Sequence, residues 1–245
     1  IEIARRHCDR IVASVFVNPT QFGEGEDFDR YPRTPDADAK GLRDHGCDAL
    51  FLPEAGEIYP FGAAQGVCVH VPGLSDALEG AARPGHFDGV ASVVCRLFNL
   101  VQPDLAVFGS KDYQQLLVVR RMASDLGFPI EILGASIVRE ANGLAMSSRN
   151  QYLDAAQREQ AAIIHATLRW MCERVRASDM PLAEIERKAS TRLSEAGFLP
   201  DYAVLRNADD LSEPNEHVRS GLVALLAARL GPVRLIDNMA CDPAV

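Results

Sequence analysis

The sequence predicts an α/β protein, an open parallel sheet followed by a smaller α+β unit, from three observations. An unbroken apolar, β-branched run, Ile11 to Val17, stops abruptly at Asn18-Pro19. Short runs of this kind then alternate with segments of helical period as far as Leu133. Beyond about Arg139 the order changes to two long helical segments followed by strand-like runs.

Each element has its own signal. The run from Ile11 to Val17 reads as a strand buried on both faces. Thr34 is placed to cap a helix, with Pro35 at its first position, Asp36 and Asp38 in the first turn, and His45-Gly46 closing it. Asp48 to Leu52 and Val67 to Val71 read as short strands. Val90, Val93, Val94, Leu97, Phe98 and Val101 form a broad helical stripe. Leu105 to Phe108 is a strand, a helix carries Leu116 to Ala123, and Ile130 to Leu133 is a further strand. Asp154 with Gln157 reads as a capping box before a helix whose buried face is Ile164, Leu168, Met171 and Val175. A second helix runs from Pro181 towards Ala196. Tyr202–Leu205, Leu222–Leu226 and Val233–Ile236 read as the last strands. The division expected is residues 1–138 and 139–245.

Composition narrows the function. Of 245 residues, 47% are hydrophobic and 24% charged, which fits a globular protein rather than a disordered one. A net charge of −9 argues against general nucleic-acid binding but leaves room for a local phosphate site. No apolar run is long enough to span a bilayer, so no membrane partner is expected. The six cysteines form no CxxC pair, so they read as buried free thiols of a cytoplasmic protein. P-loop, dinucleotide, HExxH and GxSxG fingerprints are missing.

Three loops remain. Asn18-Pro19-Thr20-Gln21-Phe22 sets polar side chains beside an aromatic wall where a strand ends, although an Asn-Pro turn can simply end a strand. Gly109-Ser110-Lys111-Asp112 joins a strand to a helix start, where free N–H groups and a lysine attract an anion. Asp112 also reads as a helix cap and Lys111 as a solvated lysine. Gly143 to Asn150 brings Ser147, Ser148 and Arg149 together, a set that can hold a polyphosphate or form a polar turn.

The stretches VFVNPTQFGEGEDFDRYPRT, ARPGHFDGV, LFNLVQPDLAVFGSKDYQQL, LAMSSRNQYL and RLIDN, in that order, resemble the pantoate–β-alanine ligase family, nucleotidyltransferases related to class I aminoacyl-tRNA synthetases. The resemblance implies a Rossmann-like first domain and a two-step ligation. ATP and pantoate give pantoyl adenylate and pyrophosphate; β-alanine then attacks, and AMP leaves. It implies that Gly109, Ser110, Lys111 and Asp112 contact the nucleotide, Lys111 on phosphate and Asp112 on ribose. Val138 would offer a backbone contact to adenine. Met146, Ser147, Ser148 and Arg149 would form the second nucleotide loop, with Lys111, Ser147, Ser148 and Arg149 as the catalytic groups. Gln21 and Gln115 would hold pantoate and later serve the β-alanine side. Mg²⁺ and a homodimer are implied as well. No protein metal ligand is assigned, because Asp38 reads better as a helix-dipole residue.

Two departures stand out. Ser110 occupies the place where the family usually carries glutamate. The family's HxGH loop has no counterpart, and Ile1 opens in what reads as mid-helix, so an upstream strand and that loop are expected to be missing from this chain. A chain truly lacking them is expected to fold poorly and to adenylate slowly, if at all; the non-enzyme alternative is a nucleotide- or pantoate-binding protein disabled by that loss. Adenylyl transfer alone is a further alternative, opposed by the paired glutamines.

Overall fold

The computed structural model describes residues 1–23, 25, 26 and 28–242; Glu24 and Asp27 of the first quoted stretch, and residues 243–245, lie outside the described residues. The chain forms two compact units. The first comprises Ile1–Gly109 and Gln114–Ala135, the second Ser110–Tyr113 and Ser136–Val245.

The first unit carries α1 (Glu2–Arg5), β1 (Val12–Ser14), α2 (Pro35–Asp44), β2 (Ala49–Phe51), α3 (Ala55–Ile58), α4 (Glu79–Ala82), α5 (His86–Val101), β3 (Leu105–Gly109), α6 (Tyr113–Asp125) and β4 (Glu131–Ala135). β1 pairs with β2 and β3 with β4, both in parallel, with α2 and α6 as the crossovers. The two pairs are separate two-stranded sheets rather than the single open sheet expected. The run from Ile11 to Val17 is also not buried on both faces. Its paired part is three residues long, alternates exposed with half-buried, and leaves Val12 48% exposed.

Val67 to Val71 forms no strand. Its backbone donors go to side chains instead, Val69 N–H to Ser92 Oγ at 2.8 Å and Val71 N–H to Ser75 Oγ at 3.2 Å. The helix of the Val90 stripe begins earlier, at His86, after Gly85 in a left-handed conformation with φ 79°. Its face buries Phe87, Val90, Ala91, Val94 and Phe98, and α6 buries Leu116, Val118 and Met122. Thr34 precedes α2 without a side-chain cap; its hydroxyl donates to the Asp38 carboxylate at 3.2 Å.

The second unit holds α7 (Ala155–Ala177), α8 (Leu182–Glu195), β5 (Leu199–Asn207), β6 (Leu222–Leu230) and β7 (Val233–Ala240). The capping box forms: Gln157 N–H donates to Asp154 Oδ1 at 2.8 Å and Asp154 N–H to Gln157 Oε1 at 3.0 Å. Ile164, Leu168, Met171 and Val175 are buried, and α8 adds Leu182, Ile185, Ala189 and Leu193 to the same core. The strands run antiparallel in the order β5-β6-β7, with β6 central and buried almost throughout. Two of the six thiols are buried, Cys172 on α7 and Cys241 after β7, with Sγ atoms 3.0 Å apart. Cys68 corrects the expectation of buried thiols, because its extended segment leaves it exposed beside Val67.

Candidate active site

In the first unit Pro19–Gln21 forms one turn of 3-10 helix, capped by Asn18, whose Oδ1 accepts from Thr20 N–H. The turn lies against α5 at Gly89. A Cβ there would sit 2.4 Å from the Thr20 carbonyl oxygen, so only glycine admits this approach. Asn18, 2% exposed, donates from Nδ2 to the Gly89 carbonyl at 3.1 Å and to Gln21 Oε1 at 3.2 Å.

Gln21 lines a cavity of about 350 Å³ together with Phe22, Glu26, Arg83 and His86. Arg83 grips Glu26 through two parallel bonds, Nε to Oε1 at 2.7 Å and Nη2 to Oε2 at 2.6 Å. Those bonds hold the Glu26 carboxyl below the usual carboxylate range. Arg83 Nη1 also lies 3.0 Å from His86 Nε2, and an arginine can only donate, so Nε2 accepts. The imidazole proton is therefore on Nδ1, which donates to the Gln21 carbonyl at 2.7 Å. Burial, then the Arg83 charge, pushes the His86 pKa down, and the ring stays neutral. Gln115, on α6, is half-buried. Its neighbour Gln114 is committed to structure, donating to the carbonyls of Leu74 and Ala77 and accepting from Glu79 N–H.

In the second unit, Ser110, Lys111 and Asp112 are held from β7. Asn238 donates from Nδ2 to the Ser110 carbonyl at 2.9 Å and the Lys111 carbonyl at 2.7 Å. The Lys111 ammonium lies 3.4 Å from the Asp112 carboxylate. Tyr113 adds a second tether, its hydroxyl donating to the Ala208 carbonyl at 2.8 Å. Gly109 ends β3 exposed, in the first unit.

The other loop is a short hairpin. Met146 N–H donates to the Val138 carbonyl at 2.9 Å, and Arg139 bridges to Ala145. Val138 and Met146 are 66% and 56% exposed, so this part presents an apolar edge outwards. Ser147 Oγ accepts from Arg149 N–H at 3.2 Å as a 3-10 turn begins, with Ser148 exposed beside it. Gly143, at φ 95°, is needed here, since a Cβ would meet the His165 ring at 2.5 Å.

The two loops share one anchor that the candidate residues did not include. Asp237, 4% exposed, takes two bonds from Arg139, at 2.6 and 3.1 Å, and accepts from Asn238 N–H at 2.8 Å. Arg139 donates on to the Gly143 carbonyl at 3.0 Å. Asp237 and Asn238 thus tie loop 110–111 and hairpin 138–146 to one strand. Their signal in the sequence is two polar residues closing the strand-like run Val233 to Ile236.

Among the described residues no group of three or more His, Cys, Asp or Glu side chains is arranged to hold a metal ion.

Comparison with known proteins gives the family. The family model described as pantoate-beta-alanine ligase matches residues 1–240. A pantothenate synthetase of Xanthomonas euvesicatoria is 60% identical over 239 residues, 98% of this chain and 85% of that protein. The crystal structure of pantothenate synthetase from Thermus thermophilus superposes with a TM-score of 0.92 at 47% identity, over 99% of this chain and 87% of that one. A pantoate-beta-alanine ligase from Francisella tularensis, solved with beta-gamma ATP and beta-alanine, gives 0.78 at 29% identity, over 99% and 84%. A family model matched over nearly the whole length, with relatives this similar in sequence and fold, shows that the chain belongs to the pantoate–β-alanine ligase family.

Proposed function

We propose that Gly109–Asp112, Val138 and Met146–Arg149 bind ATP, and that Gln21 and Gln115 hold pantoate, in the ATP-dependent condensation of pantoate with β-alanine. The observation that carries this reading is the pair of bonds from Asn238 to the carbonyls of Ser110 and Lys111, which fixes a lysine-bearing turn in one conformation.

The chemistry follows from charge. A pantoate carboxylate oxygen attacks the α-phosphorus of ATP and the bond to pyrophosphate breaks, leaving the acyl adenylate. Three anionic groups meet in that transition state. Lys111 supplies a compact positive charge and Arg149 a planar one with several donors. Both charges lower the cost of the charge that develops in the transition state. Ser147 accepts at Oγ from Arg149 N–H, so its own hydroxyl proton is left to donate to a phosphate oxygen, with Ser148 beside it. Asp112 accepts from ribose hydroxyls, and the backbone at Val138 meets adenine.

In the second step the amine of β-alanine attacks the acyl carbon, the bond to AMP breaks, and the nitrogen loses its proton as the amide forms. The adenylate hydrolyses in water, so the site must exclude it. Gln21 and Gln115 orient pantoate without adding charge. Mg²⁺ fits this reading as the counter-ion carried by the nucleotide phosphates, where it neutralises charge.

The test is ATP–pyrophosphate exchange. It should require pantoate, and exchange supported equally by unrelated carboxylates overturns the substrate assignment. Amide formation on adding β-alanine separates ligation from adenylyl transfer alone. We also place the enzyme in the cytoplasm as a homodimer, supported by the family likeness. No helix among the described residues is long and apolar enough to cross a membrane. A monomer mass by sedimentation at micromolar concentration overturns the dimer.

A further inference from the structure

The hydrogen bonds around Asn18 leave one consistent set of amide orientations. Three donors converge on Asn18 Oδ1: the Tyr59 hydroxyl at 2.7 Å, the Thr20 hydroxyl at 2.9 Å and Thr20 N–H at 3.3 Å. Thr20 N–H can only donate and the Gly89 carbonyl on the other side of the amide can only accept, so this atom is the carbonyl oxygen and both hydroxyls donate to it. Nδ2 therefore faces the Gly89 carbonyl and Gln21, and the Gln21 atom that receives it is Oε1. Gln21, which lines the cavity, keeps its Nε2 as a free donor end.

Tyr59 begins this chain. It is 4% exposed, its ring is covered by the Arg96 guanidinium at 4.8 Å, and its hydroxyl also lies 3.0 Å from Thr20 Oγ1. It is not among the residues lining the cavity.

We propose that Tyr59 is a positioning residue for pantoate: its buried hydroxyl, acting through Asn18, sets which end of the Gln21 amide faces the substrate. Without the hydroxyl, Oδ1 loses its shortest donor and the Asn18 amide is freer to turn. If it turns, Gln21 turns with it and presents an acceptor to an acceptor. The inference rests on the reading of Gln21 as a pantoate ligand, and it specifies the polarity of that contact.

The experiment compares Tyr59→Phe, Gln21→Ala and the double variant in the full chain, by steady-state kinetics in each substrate. Tyr59→Phe should raise the KM for pantoate about tenfold, the effect of one misdirected hydrogen bond, with the KM for ATP unchanged. A packing defect would disturb both. The double variant should match Gln21→Ala alone, since Tyr59 acts only through Gln21. An unchanged pantoate KM in Tyr59→Phe, equal rises for both substrates, or additive effects in the double variant each overturn the proposal. If Gln21→Ala itself leaves the pantoate KM unchanged, the Gln21 assignment fails and the proposal with it. An effect of Gln21→Ala without one of Tyr59→Phe sinks the proposal alone. Thr20→Val, which removes the neighbouring hydroxyl but leaves the Tyr59 bond, should shift the pantoate KM less than Tyr59→Phe; an equal or larger shift counts against Tyr59 as the controlling donor.

Discussion

Asn238 Nδ2 lies 2.7 Å from the Lys111 carbonyl oxygen, 127 positions apart in the sequence, and the same nitrogen reaches Ser110. One side-chain amide thereby holds the backbone of the turn that carries the lysine. Asn238→Ala removes two hydrogen bonds, each contributing about 0.5–1.5 kcal/mol, so the KM for ATP should rise roughly tenfold. The KM for pantoate should stay put. Equal shifts in both would show that Asn238 supports the fold and not the nucleotide turn.

Lys111 and Arg149 are predicted to act on the transition state. Lys111→Ala and Arg149→Ala should each slow adenylation by about 10²–10³, the scale seen when one preorganised donor is removed. Single-turnover formation of the acyl adenylate measures this directly. A near-normal rate in either variant refutes that residue's charge-stabilising role.

Gly89 is where α5 and the Gln21 turn approach most closely. Gly89→Ala places a Cβ 2.4 Å from the Thr20 oxygen and 2.8 Å from Gln21 N. Backbone must move, so the variant should lose about 1–3 kcal/mol. It should also bind pantoate more weakly, because the Asn18 bond to the Gly89 carbonyl is strained. Thermal melting and pantoate titration check this; an unshifted melting temperature would mean that the turn shifts freely.

His86 gives a pH dependence with a definite sign. Its pKa is lowered in the folded protein, mainly by burial, so the unfolded chain binds its proton first as pH falls. The contribution to stability is present above the unfolded value of about 6.5 and lost as pH drops from there towards the folded pKa. His86→Asn keeps a donor for the Gln21 carbonyl but cannot titrate. Its stability should fall less steeply than that of the parent over this window in denaturant titrations. Parallel curves would show that His86 is not the responsible group. His70, whose pKa is raised chiefly by its bond to Asp88, contributes with the opposite sign.

The second unit was the more legible from sequence. The capping box at Asp154 and the stripe from Ile164 to Val175 specify α7 locally, and the last three strands need only each other as partners. The first unit was legible as strands and helices but not as sheets, because which edges meet is a non-local fact. Val67 to Val71 shows a sharper limit: its strand-like pattern is real, yet Ser92 and Ser75 take the donors a neighbouring strand would have used. The loops at Gln21, Lys111 and Arg149 could be picked out because strand ends, glycines and cations mark them. Asp237 and Asn238 were marked only as the end of the RLIDN stretch, and Tyr59 by nothing, since the importance of all three lies in partners far away in the chain.

The burial of Cys172 and Cys241, with Cys68 left exposed, equips the molecule with an internal clock. Thiolates react only where reagent reaches them, and the close contact with Cys172, then burial, raises the pKa of Cys241. A thiol-labelling reagent should modify exposed Cys68 and the half-buried Cys8, Cys47 and Cys95 in an early phase, but Cys172 and Cys241 only when α7 parts from the end of β7. The lag between the two labelling phases would therefore time the opening of the unit that carries Lys111 and Arg149, without any engineered probe.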